Sequence, residues 1–213
     1  MPETLHALRR DYERPPIVAS ELASDPFLQF QIWFEEARSA EILEPNAMTL
    51  GTSDADGHVA CRTVLLKAAD ERGFVFFTNY GSRKAHHLSS NPNAALLFTW
   101  LPLTRQIEIA GAVEKISEAE SLEYFMSRPR GSQLGAWVSE QSRVIASREV
   151  LTKRFEELTE HFAKSPITKP EDWGGYRVVP RTIEFWQGGH DRLHDRFRYS
   201  RHESSWIIER LSP

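Results

Sequence analysis

A chain of 213 residues with 26 Lys and Arg against 30 Asp and Glu has a formal net charge of −4, which lacks the basic excess expected of a nucleic-acid module. Hydrophobic residues make up 40% and aromatic residues 11% of it, enough for a packed core in one large domain or two small ones. The single cysteine, Cys61, excludes an internal disulfide and fits a reducing cytoplasm, and no apolar run is long enough to span a bilayer.

Residues 1–24 are polar and include the charged run LRRDYERPP. They read as a mobile arm, either a solvated tail or a segment that folds Arg9, Arg10 and Tyr12 over something. Asp25-Pro26 opens a helix, with Asp as N-cap and Pro at the first helical position. Phe27, Phe30, Trp33, Phe34 and Ala37 recur at helical spacing to about Glu41 and predict a core-facing aromatic stripe. From Ala47 the period becomes two. AMTLGTS, the turn Asp54-Ala55-Asp56-Gly57, and HVACRTVLLKAA read as strand, turn, strand. Cys61, within that pattern, is expected to be a small core hydrophobe. Glu71-Arg72-Gly73 turns into GFVFFTN. A helix from Ser82 to about Ser90 is stopped by Asn91-Pro92. ALLFTWL and RQIEIAGAVEKI follow as strands split by Pro102. Five strands at short spacing without βαβ alternation predict an antiparallel barrel. No GxGxxG or GxxxxGK[ST] occurs, so neither dinucleotide-binding nor P-loop chemistry is supported.

Ser117-x-x-Glu120 is a capping box opening a helix to about Ser127 or Arg128, before Pro129. SQLGAWVSEQSRVI shows no clear period. Ser147 opens REVLTKRFEELTEHF, with Val150, Leu151, Phe155, Leu158 and Phe162 as its apolar positions. A linker with Pro166 and Pro170 leads to Trp173-Gly174-Gly175. YRVVP, TIEFWQ, LHDRFRYSR and SSWIIERL are strand-like.

Three groups of residues carry possible chemistry. Arg62, Lys67, Arg83 and Lys84 sit at the ends of apolar strands, and Gly81-Ser82-Arg83-Lys84 places a glycine, a hydroxyl N-cap and two cations at a helix start. That combination suits a phosphate-bearing cofactor, while a solvated basic hairpin edge is the plain alternative. Tyr124 and Arg128, four apart, share a helix face, and Ser132 follows the break. The three read either as an oxyanion grip or as an exposed helix end with a favourable cation. After Gly188-Gly189, Arg192, His194 and Arg196 alternate, so in a strand they point to one face and call for an anion or an electron-rich ring. The alternative is an exposed charged edge. His190 and His194 lack the HExxH pattern and do not suggest a metal site.

RTVLLK, FFTNYGSRKAHHL, SRPRGSQLGAWVSEQS and FWQGGHDRLHDRF, in this order, resemble the pyridoxine (pyridoxamine) 5′-phosphate oxidase family, and the resemblance runs from LRRDY to WIIERLSP. It implies a mainly β, α+β fold: an FMN-binding split β-barrel of antiparallel Greek-key type over residues 25–213, with helical insertions at about 118–165. It implies a homodimer with FMN in two interface clefts. Arg62, Arg83 and Lys84 would hold the FMN phosphate. Thr63, Val64, Leu65, Leu66, Lys67, Phe77 and Thr78 would line the cofactor, and Gln106 would reach it from the next hairpin. Gln141, Ser142, Trp186 and Arg196 would complete the site from the partner chain. Lys67, Tyr124, Arg128 and Ser132 would grip the substrate phosphate. Arg192, Leu193 and His194 would face the pyridine ring, with Arg192 and His194 as the catalytic pair. Arg9 and Tyr12 would close over it as a lid. The implied reaction oxidises pyridoxine or pyridoxamine 5′-phosphate at C4′ by hydride transfer to the flavin, with O2 as acceptor giving H2O2, and ammonia from the amine. Two competing classes are a non-catalytic flavin-binding split barrel and a nucleic-acid-binding β-barrel. The first has no use for Tyr124, Arg128, Ser132, Arg192 and His194 together, and the acidic balance opposes the second.

Overall fold

The computed structural model describes residues 4–8 and 11–213; the expected lid residue Arg9 and its neighbour Arg10 lie outside them. The helices are α1 (Pro26–Ser39), α2 (Arg83–Ser90), α3 (Glu118–Ser127), α4 (Arg130–Val138) and α5 (Arg148–His161). The strands are β1 (Ala47–Ser53), β2 (Val59–Leu65), β3 (Ala68–Asp70), β4 (Gly73–Asn79), β5 (Asn93–Trp100), β6 (Arg105–Lys115), β7 (Trp173–Gln187), β8 (Asp195–His202) and β9 (Ser205–Arg210). They form a nine-stranded sheet in the order β2-β1-β5-β6-β7-β4-β3, with β8 pairing both β7 and β9. The β3/β4, β4/β7, β7/β8 and β8/β9 pairs are antiparallel. This is the antiparallel split barrel with flanking helices that the sequence predicts.

The chain divides into two compact units, one comprising residues 1–49, 95–110 and 180–213, the other 50–94 and 111–179. In the first, Asp25 caps α1 by accepting a hydrogen bond from the Phe27 amide at 3.0 Å. The aromatic stripe of α1 is buried as expected. Phe30 meets Phe98 at 5.3 Å, Trp33 stands edge-on to Phe185 at 5.2 Å, and Phe185 packs on Tyr199 at 5.4 Å. The described part of the amino-terminal arm is tied down by long-range bonds, among them one from Arg210 Nη2 to the Ile17 carbonyl at 3.2 Å. The Ile17 amide donates to Asp195 at 2.8 Å, the Gln187 amide to the Pro15 carbonyl at 3.0 Å, and the Tyr199 hydroxyl to the Ala23 carbonyl at 2.7 Å.

In the second unit, β3 and β4 form a hairpin closed at Asp70↔Gly73. Gly73 has φ +140°, and a Cβ there would run into the Val178 carbonyl, so only glycine fits. β4 pairs with β7 in the register Phe77↔Gly175 and Asn79↔Trp173. Phe125, Leu134, Phe162, Ile167 and Trp173 form one buried cluster, with Phe77, Tyr124 and Leu158 packed against it.

The structure revises several expectations. Residues 130–138, without a readable period, are helical despite two glycines, and buried Gln133 ties this helix to the end of α3. Its side-chain amide donates to the carbonyls of Phe125, Met126 and Arg128 at the end of α3. YRVVP and TIEFWQ are one 15-residue strand running through Pro180. The strand ending in LLKAA breaks at Leu66-Lys67 into β2 and β3. Cys61 is exposed rather than core, because β2 ends the strand order and turns Val59, Cys61 and Thr63 outward. Val150 and Phe155 of α5 stay exposed, and only Leu158 and Phe162 reach the cluster.

Candidate functional site

A cavity of about 700 Å³ opens in the second unit. β2 and the residues after it supply Arg62, Thr63, Val64, Leu65 and Lys67, and β4 supplies Phe77, Thr78 and Asn79. Lys84 enters from α2. Tyr124, Arg128 and Ser132 come from the α3–α4 corner, Gln141 from the segment after α4, and Trp173 from the start of β7. Among the described residues, four cations line this space and no carboxylate does.

The first cation group centres on Lys84. Its ammonium, 9% exposed as a residue, donates to Gln141 Oε1 at 2.6 Å and Thr78 Oγ1 at 3.1 Å. Burial, reinforced by the nearby Arg62 charge, pulls its pKa from 10.5 to about 8. Arg62 donates to the Leu50 carbonyl at 3.0 Å and to Thr52 Oγ1 at 2.7 Å. Thr52 contacts buried His87 Nδ1 at 3.3 Å, and Arg83 Nε donates to His87 Nε2 at 3.4 Å. His87 therefore accepts at Nε2 and carries its proton at Nδ1, linking Arg62 to Arg83. Burial, followed by the Arg83 charge, lowers the Arg62 pKa. Ser82 holds the N-cap position, but its side chain makes no capping bond. The free Arg83 amide instead donates to Ser142 Oγ at 3.3 Å.

The second group lies on an aromatic stack. Phe77 and Tyr124 stack at 4.0 Å with their planes 24° apart, and Trp173 lies 5.3 Å from Phe77. The Lys67 ammonium is 5.9 Å from the Tyr124 ring centre, and the Arg128 guanidinium 4.8 Å from that of Trp173. Burial depresses the Arg128 pKa. Its Nη1 is buried without a hydrogen-bond partner. An orphaned guanidinium nitrogen and a lysine with a depressed pKa, in a space free of carboxylates, fit ligands that bring their own negative charge.

The predicted residues are thus partly gathered. Arg62, Thr63, Val64, Leu65, Lys67, Phe77, Thr78, Lys84, Tyr124, Arg128, Ser132 and Gln141 share the cavity. Leu66 is buried and does not line it. Gln141 and Ser142, expected from a partner chain, stand beside Lys84 and Arg83 of their own chain, because the segment after α4 returns to β4 and the start of α2. Thr52, His87, Gln133 and Trp173 were not singled out from the sequence. Their signal is contact alone, which spacing does not reveal.

The remaining predicted residues belong to the first unit. Gln106, Trp186 and Arg196 line a smaller cavity of about 240 Å³ with Glu108 and Glu184. Arg196 is paired there with Glu184 at 2.7 Å. Arg192, His194 and Arg196 do not alternate along a strand. Asp191 and Arg192 have left-handed φ values of 51° and 65°, and β8 begins only at Asp195. Arg192 and Leu193 are exposed. His194 Nδ1 accepts the Gly189 amide at 3.1 Å, and its ring lies 4.8 Å from Trp186 and 5.8 Å from Tyr12. Burial, then the Arg192 charge, lowers the His194 pKa. Tyr12 can seat here because Gly188 has no side chain; a Cβ would come within 2.6 Å of the Tyr12 ring.

Fold and site together define an antiparallel split-barrel protein whose cation-lined cleft, walled by stacked aromatics, suits an anionic aromatic ligand. Residues 34–162 match the family described as pyridoxamine 5′-phosphate oxidase, and residues 173–213 match the pyridoxine 5′-phosphate oxidase C-terminal dimerisation region. The chain belongs to the pyridoxamine 5′-phosphate oxidase family. It is 56% identical to the pyridoxine/pyridoxamine 5′-phosphate oxidase of Crocosphaera subtropica, over 98% of this chain and 99% of that one. A protein of the same name from Burkholderia thailandensis is 54% identical over 99% of both chains. Among solved structures, PhzG from Burkholderia lata, in complex with tetrahydrophenazine-1-carboxylic acid, aligns with a TM-score of 0.86 and 30% identity, over 91% of this chain and 95% of its own. A pyridoxamine 5′-phosphate oxidase-related, FMN-binding protein from Nostoc punctiforme shares the fold at a TM-score of 0.70 and 16% identity, over 90% of this chain and 100% of its own. Among the described residues no helix is long and apolar enough to cross a membrane.

Proposed function

We propose that this chain oxidises pyridoxine 5′-phosphate or pyridoxamine 5′-phosphate to pyridoxal 5′-phosphate, with FMN as cofactor and O2 as electron acceptor, in the cytoplasm. The observation that carries this is the cavity with four cations and no carboxylate, read together with family membership. Arg62, Arg83 and Lys84, with Thr78, Gln141 and Ser142, would hold the FMN phosphate. Lys67, Tyr124, Arg128 and Ser132 would hold that of the substrate. Bound FMN would supply the redox chemistry, a two-electron oxidation at C4′ with O2 as final acceptor giving H2O2; with the amine substrate, water would supply the aldehyde oxygen and ammonia would leave. The chain supplies position and charge. Two phosphate handles far from C4′ provide binding energy that fixes the reacting carbon. The Phe77–Tyr124–Trp173 stack forms a dry wall.

Arg192 and His194 are assigned to the pyridine face. Because His194 Nδ1 accepts the Gly189 amide, the ring carries its proton at Nε2 and is set up to donate. Residues 1–24 would act as the lid, with Arg9 and Tyr12 closing the pocket, while Gln106 would reach the flavin and Trp186 and Arg196 of a second copy of the chain would complete its site. The matched C-terminal dimerisation region supports a homodimer with FMN at its interface.

The test is the visible spectrum of the purified protein. A flavin band should bleach when pyridoxamine 5′-phosphate is added without oxygen, and air should restore it with one H2O2 per pyridoxal 5′-phosphate formed. Yellow protein that never bleaches would be a flavin carrier. Protein that stays colourless after incubation with FMN would end the reading altogether.

A further inference from the structure

We infer that Trp173 is a positioning residue of the anion grip, its indole face fixing the Arg128 guanidinium so that the guanidinium's donors remain free for a phosphate ester. The identity of that ester rests on the function proposed above. Among the described residues no carboxylate pairs with Arg128, and its Nη1 is buried with no hydrogen-bond partner. Its neighbours are rings, with Trp173 at 4.8 Å and Phe125 at 5.8 Å from the guanidinium carbon. An aromatic face attracts a guanidinium through its π-system and leaves the in-plane N–H groups unused. A carboxylate in the same place would occupy those N–H groups and cancel the charge. Stacking is thus a way to hold an arginine still without neutralising it.

Trp173 is itself held on several sides. It is 6% exposed and lies near-parallel to Phe77, 13° off at 5.3 Å, and to Tyr124, 12° off at 6.2 Å. Phe125 stands edge-on to it at 5.3 Å, and its carbonyl accepts Lys169 Nζ at 2.8 Å. Its backbone partner across the sheet is Asn79. The Arg128 main chain is clamped separately, its carbonyl accepting the Gln133 side-chain amide at 3.1 Å. One ring therefore sets both the Arg128 guanidinium and, through the stack, the Tyr124 phenol.

The test uses Trp173→Leu, Trp173→Phe, Arg128→Ala and the Trp173→Leu/Arg128→Ala double variant of the flavin-loaded protein. Trp173→Leu should raise KM for pyridoxamine 5′-phosphate by about thirtyfold, the size of a desolvated cation–π contact, with kcat within about twofold and flavin content unchanged. Trp173→Phe keeps a ring and should restore most of the loss. In the Arg128→Ala background Trp173→Leu should add nothing, because the residue it positions is gone. A full KM effect in that background overturns the assignment, as does loss of kcat and flavin together with KM. If Trp173→Leu does not fold, Trp173→His takes its place with the same expected direction. Calorimetric affinity for inorganic phosphate reads the same cycle without turnover. Wild-type protein that fails to oxidise the substrate would therefore defeat the proposed function, while the phosphate affinities still decide the role of Trp173.

Discussion

Lys84 is the residue whose environment speaks most plainly about its use. An ammonium is buried beside Arg62 with a neutral hydroxyl and an amide as partners, and its pKa falls to about 8. Its folded pKa lies below the ordinary 10.5, so between these values the unfolded chain binds the extra proton. The ligand-free fold should therefore gain stability as pH rises from about 8 toward 10.5. Anion binding has the opposite sign, because it needs the ammonium. FMN affinity, followed by flavin fluorescence quenching, should weaken as pH climbs through 8, and Lys84→Arg should flatten that decline. A pH-independent affinity would contradict the role given to Lys84. The roles proposed for Arg62 and Arg192 differ. Arg62→Ala should release FMN first, on a desalting column. Arg192→Ala should keep the yellow colour and lose turnover; wild-type kcat and KM in Arg192→Ala would refute the substrate-face assignment. At this scale the sequence disclosed the cations but not their tethers. Thr52 and His87 join Arg62 to Arg83 across 35 residues of separation between the two linkers, which no local pattern encodes.

Elements with local signatures were legible. The Ser117/Glu120 box is present in both directions, with the Glu120 amide donating to Ser117 Oγ at 3.2 Å and the Ser117 amide to Glu120 Oε2 at 3.1 Å. Glu120 also accepts from Arg177 at 3.1 Å and Arg72 at 3.2 Å. Its Ser117 bonds, chiefly, hold its pKa at about 2. Because this folded value is depressed, the stability it contributes is present above the usual carboxylate pKa and is lost as pH falls toward 2. Ser117→Ala should cost about 1 kcal/mol in urea unfolding at neutral pH; no change in midpoint would show that the α3 start needs no cap. Elements set by tertiary contacts were not legible. α4 is joined to the end of α3 by Gln133, a contact with no signature in the local sequence. The Arg192–His194 segment leaves strand geometry through two left-handed residues that its period-two pattern conceals.

For the whole molecule, the balance of −4 and the positive cleft are reconciled by placement. Acidic groups such as Glu184, Glu114 and Glu120 pair with arginines elsewhere, at Arg196 and Arg177, and among the described residues no acid lines the main cavity. The match to a dimerisation region, and an end strand that turns Val59 and Cys61 to solvent, support a second copy of the chain. Light scattering of the purified protein should give twice the chain mass; a monomer that retains full activity would refute the two-chain site. The sequence by itself determined the antiparallel class and most element boundaries, because alternation, caps and turn residues act over a few positions; the cations and hydroxyls were pointed to by the family resemblance, since local pattern left each group with a plain alternative. Only the tertiary structure decided that Arg128 rests on Trp173, that Gln141 meets Lys84, and that Cys61 faces outward. Those outcomes depend on which distant side chains share one wall, and packing, not spacing along the chain, selects them.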